Sequence, residues 1–212
     1  MFEKLRGPWR KIISPIARAL VKLGVTANMV TIAGAVGTAF FAVLTGFTGW
    51  LLPGAAMITV MVIFDSLDGT VAAQSGGGTA FGAFLDSTVD RIADWAVLLG
   101  VAIYLIRLKD FWTLWPQIGF WAALVSMMTA FVTSYIRARA QSIGLDAKNG
   151  IATRSDRLVI ILVGMGLTGM GLPVAVLSCF MVLLAVLGAV TVGQRLYTVY
   201  SSAKEKGLTE HM

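Results

Sequence analysis

The sequence predicts an all-α integral membrane protein: six transmembrane helices behind an N-terminal amphipathic juxtamembrane helix. Composition is the first reason. Hydrophobic residues fill 57% of the 212 positions and charged residues only 13%, too apolar for a soluble domain of this length. The second is that long uncharged runs recur at intervals suited to spans of about 20 residues. The third is charge placement. With six spans, all of the 17 Lys and Arg except Arg107 and Lys109 fall on one side. That bias puts both termini and the long polar loops in the cytoplasm of a plasma-membrane protein.

Residues 1–22 interleave Lys4, Arg6, Arg10, Lys11, Arg18 and Lys22 with Phe2, Leu5, Trp9, Ile12, Ile13, Ile16 and Leu20. A basic amphipathic segment of this kind lies along an anionic membrane surface. It lacks the unbroken apolar core of a cleavable signal. Residues 23–64 carry no charge and divide at Gly46–Pro53 into spans Asn28–Gly49 and Leu52–Ala73. A polar glycine turn, Gln74 to Thr79, leads to a third span over Ala80–Arg107, and a fourth follows over residues 111–140. The uncharged run 158–194 breaks at Gly169–Pro173 to give spans five and six. The six-span domain is therefore 23–200, with a cytoplasmic tail at 201–212. Cys179, the single cysteine, sits in an apolar stretch and reads as a packing residue; it excludes an intrachain disulfide. The single histidine, His211, stands next to last, which argues against histidine-based chemistry. No nucleic-acid partner is expected; the partners are membrane lipids.

Against this apolar background stand Asp65, Asp68, Asp86 and Asp90. An acid at the centre of a span costs roughly 2.5–3.5 kcal/mol on insertion scales, so it is retained for a purpose. Spacings of three and four put each pair on one helix face, and the turn through Gly76, Gly77 and Gly78 makes the two faces neighbours. Oxygen ligands without His or Cys suit a hard divalent cation, Mg²⁺ or Mn²⁺. Clustered carboxylates repel without their ion, so stability as well as activity should depend on metal. Gly69 and Gly82 allow either close approach of a ligand or close helix packing. Thr79 opens the third span and can present a hydroxyl to phosphate. Asp94 continues the spacing one turn deeper, as a second acid behind the site or a partner for a cation on span four or six. Arg91, off the acidic face, reads as a lipid-headgroup contact.

The stretch Asp65-x-x-Asp68-Gly69-x-x-Ala72-Ala73-x8-Gly82-x-x-x-Asp86-x-x-x-Asp90 resembles the signature of the CDP-alcohol phosphotransferases. It departs at Ala73, where the family has an arginine expected to contact the donor phosphates. The resemblance implies a six-helix homodimeric enzyme that moves a phosphatidyl group from CDP-diacylglycerol to an alcohol and releases CMP. It implies that Asp65, Asp68 and Asp86 hold metal, while Asp90 both contacts metal and removes the acceptor hydroxyl proton. It also implies a CDP-lipid site at Asn28, Met29, Val30, Thr31, Gly69, Ala73, Thr79 and Gly82. As a bare sequence, Asn28–Thr31 is only a helix cap.

Ser134-Tyr-Ile-Arg137-Ala-Arg139 and Arg154-Ser-Asp-Arg157 are similar to the phosphatidylinositol-phosphate synthase branch of that family. By that likeness the acceptor is myo-inositol phosphate, its phosphate held by Arg137, Arg154 and Arg195. Cations at span ends also serve as topological anchors. Glycerol 3-phosphate, the acceptor of phosphatidylglycerol-phosphate synthases, is the alternative by the same chemistry. A small ion transporter or channel is a remote one, because no second half of the chain echoes the acidic pattern.

Overall fold

The computed structural model describes residues 6–208, with side chains from Ile13 onward. The calls on Phe2, Lys4, Leu5, His211 and Met212, and on the side chains of residues 6–12, lie outside the described residues. Eight helices and no strand occur among those residues: α1 (Arg6–Lys22), α2 (Ala27–Thr48), α3 (Leu51–Asp65), α4 (Asp68–Gln74), α5 (Ala80–Ile106), α6 (Leu114–Ser142), α7 (Arg154–Gly169) and α8 (Val174–Glu205).

Four segments are long and apolar enough to cross a membrane: α2, α3 with α4, α6 and α8. The other two predicted spans differ for physical reasons. Helix α5 has 27 residues but carries Asp86, Asp90, Arg91 and Asp94 between its start and its middle. Helix α7 has only 16 residues and opens on Arg154, Asp156 and Arg157.

Two sequence expectations are corrected. The second span is not one helix: it turns at Ser66 and Leu67, where Leu67 N–H reaches back three residues to the Phe64 carbonyl at 3.0 Å. Asp65 therefore ends one helix and Asp68 begins another. An acid in a first turn is favoured by the helix dipole, and Asp68 accepts from the Gly69 N–H there. Helix α8 runs unbroken to Glu205, so the predicted tail begins as a continuation of that helix. Cys179 is exposed rather than packed; Leu177, Ser178 and Met181 turn inward and leave it on the outer face of α8.

The core lies between the long helices. Ile58 of α3, Val97, Leu98 and Val101 of α5, Ile161 of α7, and Leu177, Met181 and Leu184 of α8 are buried together. Lipid is as apolar as these side chains, so association depends on close packing and interhelical hydrogen bonds. Helices α2 and α5 meet at a glycine-lined crossing, where a Cβ on Gly100 would strike the Ala42 carbonyl. Ser178 donates to the Trp115 carbonyl at 2.7 Å, tying α8 to α6.

Helix α1 also packs on protein. Ile13 and Ala17 are buried against Val30, Leu67 and Val71, and Gln74 donates to the Ser14 hydroxyl at 3.2 Å. Part of its apolar face thus packs on protein, steadying α4 beside the acids.

Candidate active site

The local folding of α5 sets out the first half of the site. Thr79 caps the helix, its hydroxyl accepting from Gly82 N–H at 2.9 Å. Asp86, Asp90 and Asp94 then follow at four-residue intervals on one face. The cap of α2 is Thr26, which accepts from Met29 N–H at 3.3 Å, so Asn28 is the second helical residue rather than the cap.

Asp65 joins from the end of α3. Oxygens of Asp65, Asp86 and Asp90 lie within 4.8 Å of one another. Asp68 stands beside this group instead of in it, its Oδ2 accepting from the Thr31 hydroxyl at 2.8 Å. The approach of Asp65 depends on a residue the sequence reading passed over: a Cβ on Gly34 would lie 2.8 Å from Asp65 Cβ and 3.0 Å from its Cα. Only the absent side chain lets α2 close on the backbone that carries this acid.

The donor set fits a hard divalent ion. Two oxygens on one ion at about 2.1 Å are at most about 4.2 Å apart, so a small side-chain adjustment completes the set. Asp65 Oδ1 is buried without a hydrogen-bond partner, as a ligand atom awaiting its ion would be. Asp86 takes no ion pair among the described residues, whereas Asp65 and Asp90 share one with Arg154.

Arg154 is the centre of the site's charge balance. A Thr153–Asp156 capping box fixes the start of α7 and makes Arg154 its first residue. Its Nη2 lies 2.8 Å from Asp90 Oδ1, its Nη1 3.9 Å from Asp65 Oδ2 and its Nε 3.0 Å from Asp94 Oδ1. Asp94 Oδ2 receives Arg157 Nη2 at 3.1 Å. The cations that partner Asp94 thus come from α7, not from the fourth or sixth span. Arg91 is likewise no free headgroup contact: its Nη1 donates to Ser134 Oγ at 2.5 Å and its Nη2 lies 3.7 Å from Asp90.

Two cavities meet here, and Asp86 lines both. The first, about 540 Å³, is walled by Asn28, Thr31, Asp68, Gly69, Thr79 and Gly82, with no Lys or Arg among its lining residues. A Cβ on Gly69 would meet nothing within 4 Å, which excludes the helix-packing reading for that glycine. A Cβ on Gly82 would meet only the polar oxygens of Asn28 and Thr79, each at 3.1 Å. Met29 points outward and Val30 is buried in the core, so neither lines this cavity. Ala73 is exposed and also outside the lining.

The second cavity, about 640 Å³, is cationic. Arg91, Arg137, Lys148, Arg154, Arg157 and Arg195 all line it, with Asp90 in its wall. Arg195 also has a bracing role, its Nε donating to the Asn149 carbonyl at 3.0 Å and its Nη1 to the Thr133 carbonyl at 2.5 Å. Arg139 is absent from the lining and bonds to Ser142 instead.

Known proteins share this architecture. Residues 24–193 match the model of the CDP-alcohol phosphatidyltransferase family. The phosphatidylinositol phosphate synthase of Cutibacterium acnes is 38% identical over 211 residues, covering 94% of this chain and 97% of that protein. That of Mycobacterium tuberculosis is 40% identical over 201 residues, covering 93% and 89%. The crystal structure of the M. tuberculosis synthase with CDP-DAG bound matches with a TM-score of 0.83 at 39% identity, over 90% of this chain and 94% of that one. The same enzyme in complex with manganese and citrate matches with a TM-score of 0.82 at 39% identity, over 88% of each chain. With the acidic stretch, the paired cavities and a family match over most of its length, this chain belongs to the CDP-alcohol phosphatidyltransferases.

Proposed function

We propose that this protein transfers the phosphatidyl group of CDP-diacylglycerol to myo-inositol phosphate, giving phosphatidylinositol phosphate and CMP. The observation that carries the reading is the pair of unlike cavities meeting at Asp86, one free of cationic side chains and one lined with them. The names of the relatives and the CDP-DAG complex of the M. tuberculosis enzyme support it. The nucleotide lies against Asn28, Thr31, Gly69, Thr79 and Gly82. An apolar groove of about 570 Å³ between α2 and α5, including Val36, Phe40, Val89 and Ile92, gives the lipid part an apolar surface beside the site. The acceptor's phosphate lies in the second cavity against Arg137, Arg154 and Arg195.

Asp65, Asp86 and Asp90 would hold Mg²⁺, with Asp68 joining from beside them, and Mn²⁺ able to replace it, as the manganese complex of the relative supports. A bound divalent ion neutralises charge on the donor diphosphate. Asp90, in the wall of the acceptor cavity, takes the proton from the attacking hydroxyl. The oxygen then bonds to the lipid-side phosphorus, and CMP leaves with the electron pair of the broken bond.

The direct experiment measures CMP release by purified protein from CDP-diacylglycerol and Mg²⁺, offering inositol phosphate, inositol, glycerol 3-phosphate and serine separately. Turnover with inositol phosphate alone, stopped by chelator, is expected. Turnover with glycerol 3-phosphate alone would overturn the acceptor, and turnover with none the reaction. A second prediction concerns Gly34. Gly34→Ala should weaken Mn²⁺ binding roughly tenfold to hundredfold, as loss of support for a metal ligand does. Electron paramagnetic resonance of Mn²⁺ titrated into the protein reads this directly, and an unchanged affinity would remove Gly34 from the site's support.

We further infer six spans over residues 23–200, α5 and α7 being the two that carry the site's charges, with 1–22 at the membrane surface. The site, both termini and the tail at 201–212 face the cytoplasm of the plasma membrane, which the charge bias supports. Labelling of single cysteines from each side of sealed vesicles tests this; protection of residue 208 from the cytoplasmic side would reverse it. A homodimer follows from the family likeness and is tested by native mass spectrometry from lipid nanodiscs, where a monomer would refute it.

A further inference from the structure

We propose that Asp94 is a positioning residue for the acceptor, aiming Arg154 from one helical turn behind the base; the proposal rests on the acceptor reading given above. Asp94 lies outside the signature stretch, which ends at Asp90. Its side chain is buried, with a residue exposure of 7%, and both oxygens are occupied: Oδ1 by Arg154 Nε at 3.0 Å and Oδ2 by Arg157 Nη2 at 3.1 Å.

The planarity of guanidinium gives this contact its meaning. With Nε fixed on one carboxylate, the direction of the opposite edge is set. That edge carries Nη2 to Asp90 at 2.8 Å and Nη1 toward Asp65 at 3.9 Å, at the wall of the cationic cavity. Arg157, itself buried, holds the second oxygen of Asp94 and stops the carboxylate from turning. A single helix, α5, thus sets both the base and the aim of the cation beside it.

A purely structural role explains the arrangement less well. A buried ion pair contributes little net stability compared with well-packed apolar residues. Helix α7 already has an apolar anchor in Leu158, Ile161 and Met165, and its start is fixed by the Thr153–Asp156 box. The charged triad lies instead where the acceptor's phosphate and the base must be held in register.

Asp94→Asn should raise KM for inositol phosphate roughly tenfold to a hundredfold, the usual worth of a hydrogen bond to a charged group, and leave KM for CDP-diacylglycerol within about twofold. Asp94→Glu, which keeps the carboxylate, should recover part of the loss. In an Arg154→Ala background Asp94→Asn should add nothing further to the acceptor KM, because its effect passes through Arg154. Direct titration of inositol phosphate into each variant by calorimetry should give the same order. Should Asp94→Asn fail to fold in thermal unfolding, Asp94→Glu reads the same contact with the charge kept and should show a smaller but still selective rise. An equal rise for both substrates, or defects that multiply in the double variant, would overturn the proposal. If the wild type turns over glycerol 3-phosphate instead, the acceptor assignment alone falls, and the same comparison is read with that acceptor.

Discussion

Asp90→Asn is expected to lower CMP release by at least about 10²–10⁴-fold, the usual worth of a positioned general base, while CDP-diacylglycerol still binds. The substitution keeps the size of the side chain and removes the proton acceptor. Two features favour an intact fold. Arg154 keeps its Nε on Asp94, and Arg157 holds the other oxygen of that acid. The donor cavity is bounded by other residues, with Asp68 and Asp86 its acids. Rates of CMP release paired with calorimetric titration of the lipid separate the two effects. Normal turnover by the variant would remove Asp90 as the base.

Asp86→Ala is expected to abolish activity and the metal-induced gain in stability together. Asp86 is the one acid that lines both cavities, and it takes no ion pair among the described residues. For the wild type, an ion at a hundred times its dissociation constant adds about 2.7 kcal/mol to the unfolding free energy. Thermal unfolding in detergent with and without Mg²⁺ should show this gain for the wild type and almost none for the variant. Without metal the variant should be no less stable than the wild type, because a lone anion has gone. A variant that keeps the full Mg²⁺ response would exclude Asp86 as a ligand. The repulsion expected among metal-free carboxylates is moderated in the structure by Arg154, so the wild type should stay folded under chelation.

The acidic centre was legible because spacing survives folding. Asp86 and Asp90 sit on one helix, and the turn at Gly76–Gly78 returns α5 toward Asp65. The turn at Ser66 and Leu67 was hidden because hydropathy runs through it unchanged. It is visible only in the backbone bonds, and it moves Asp68 to a neighbouring position held by Thr31. Partners distant in sequence were hidden for a different reason. Nothing in a local pattern joins Asp94 to Arg154, 60 residues further on, although the four-residue interval from Asp90 marked Asp94 as unusual. Gly34 left no trace either, because its importance lies in the backbone facing it across a helix pair. The arginines proposed for the acceptor were chosen by likeness to one branch of the family, and Arg137, Arg154 and Arg195 line one cavity.

Among the described residues the two cavities share only Asp86 in their linings, one opening among α2, α4 and the start of α5, the other among α5 to α8. Substrates arriving by separate entrances need not wait for one another. Neither product has to depart before the second reactant enters, and no phosphatidyl group has to be parked on the protein between them. Initial-rate plots against one substrate at several levels of the other should therefore intersect instead of running parallel, and CMP should leave on the opposite side from the newly made lipid headgroup.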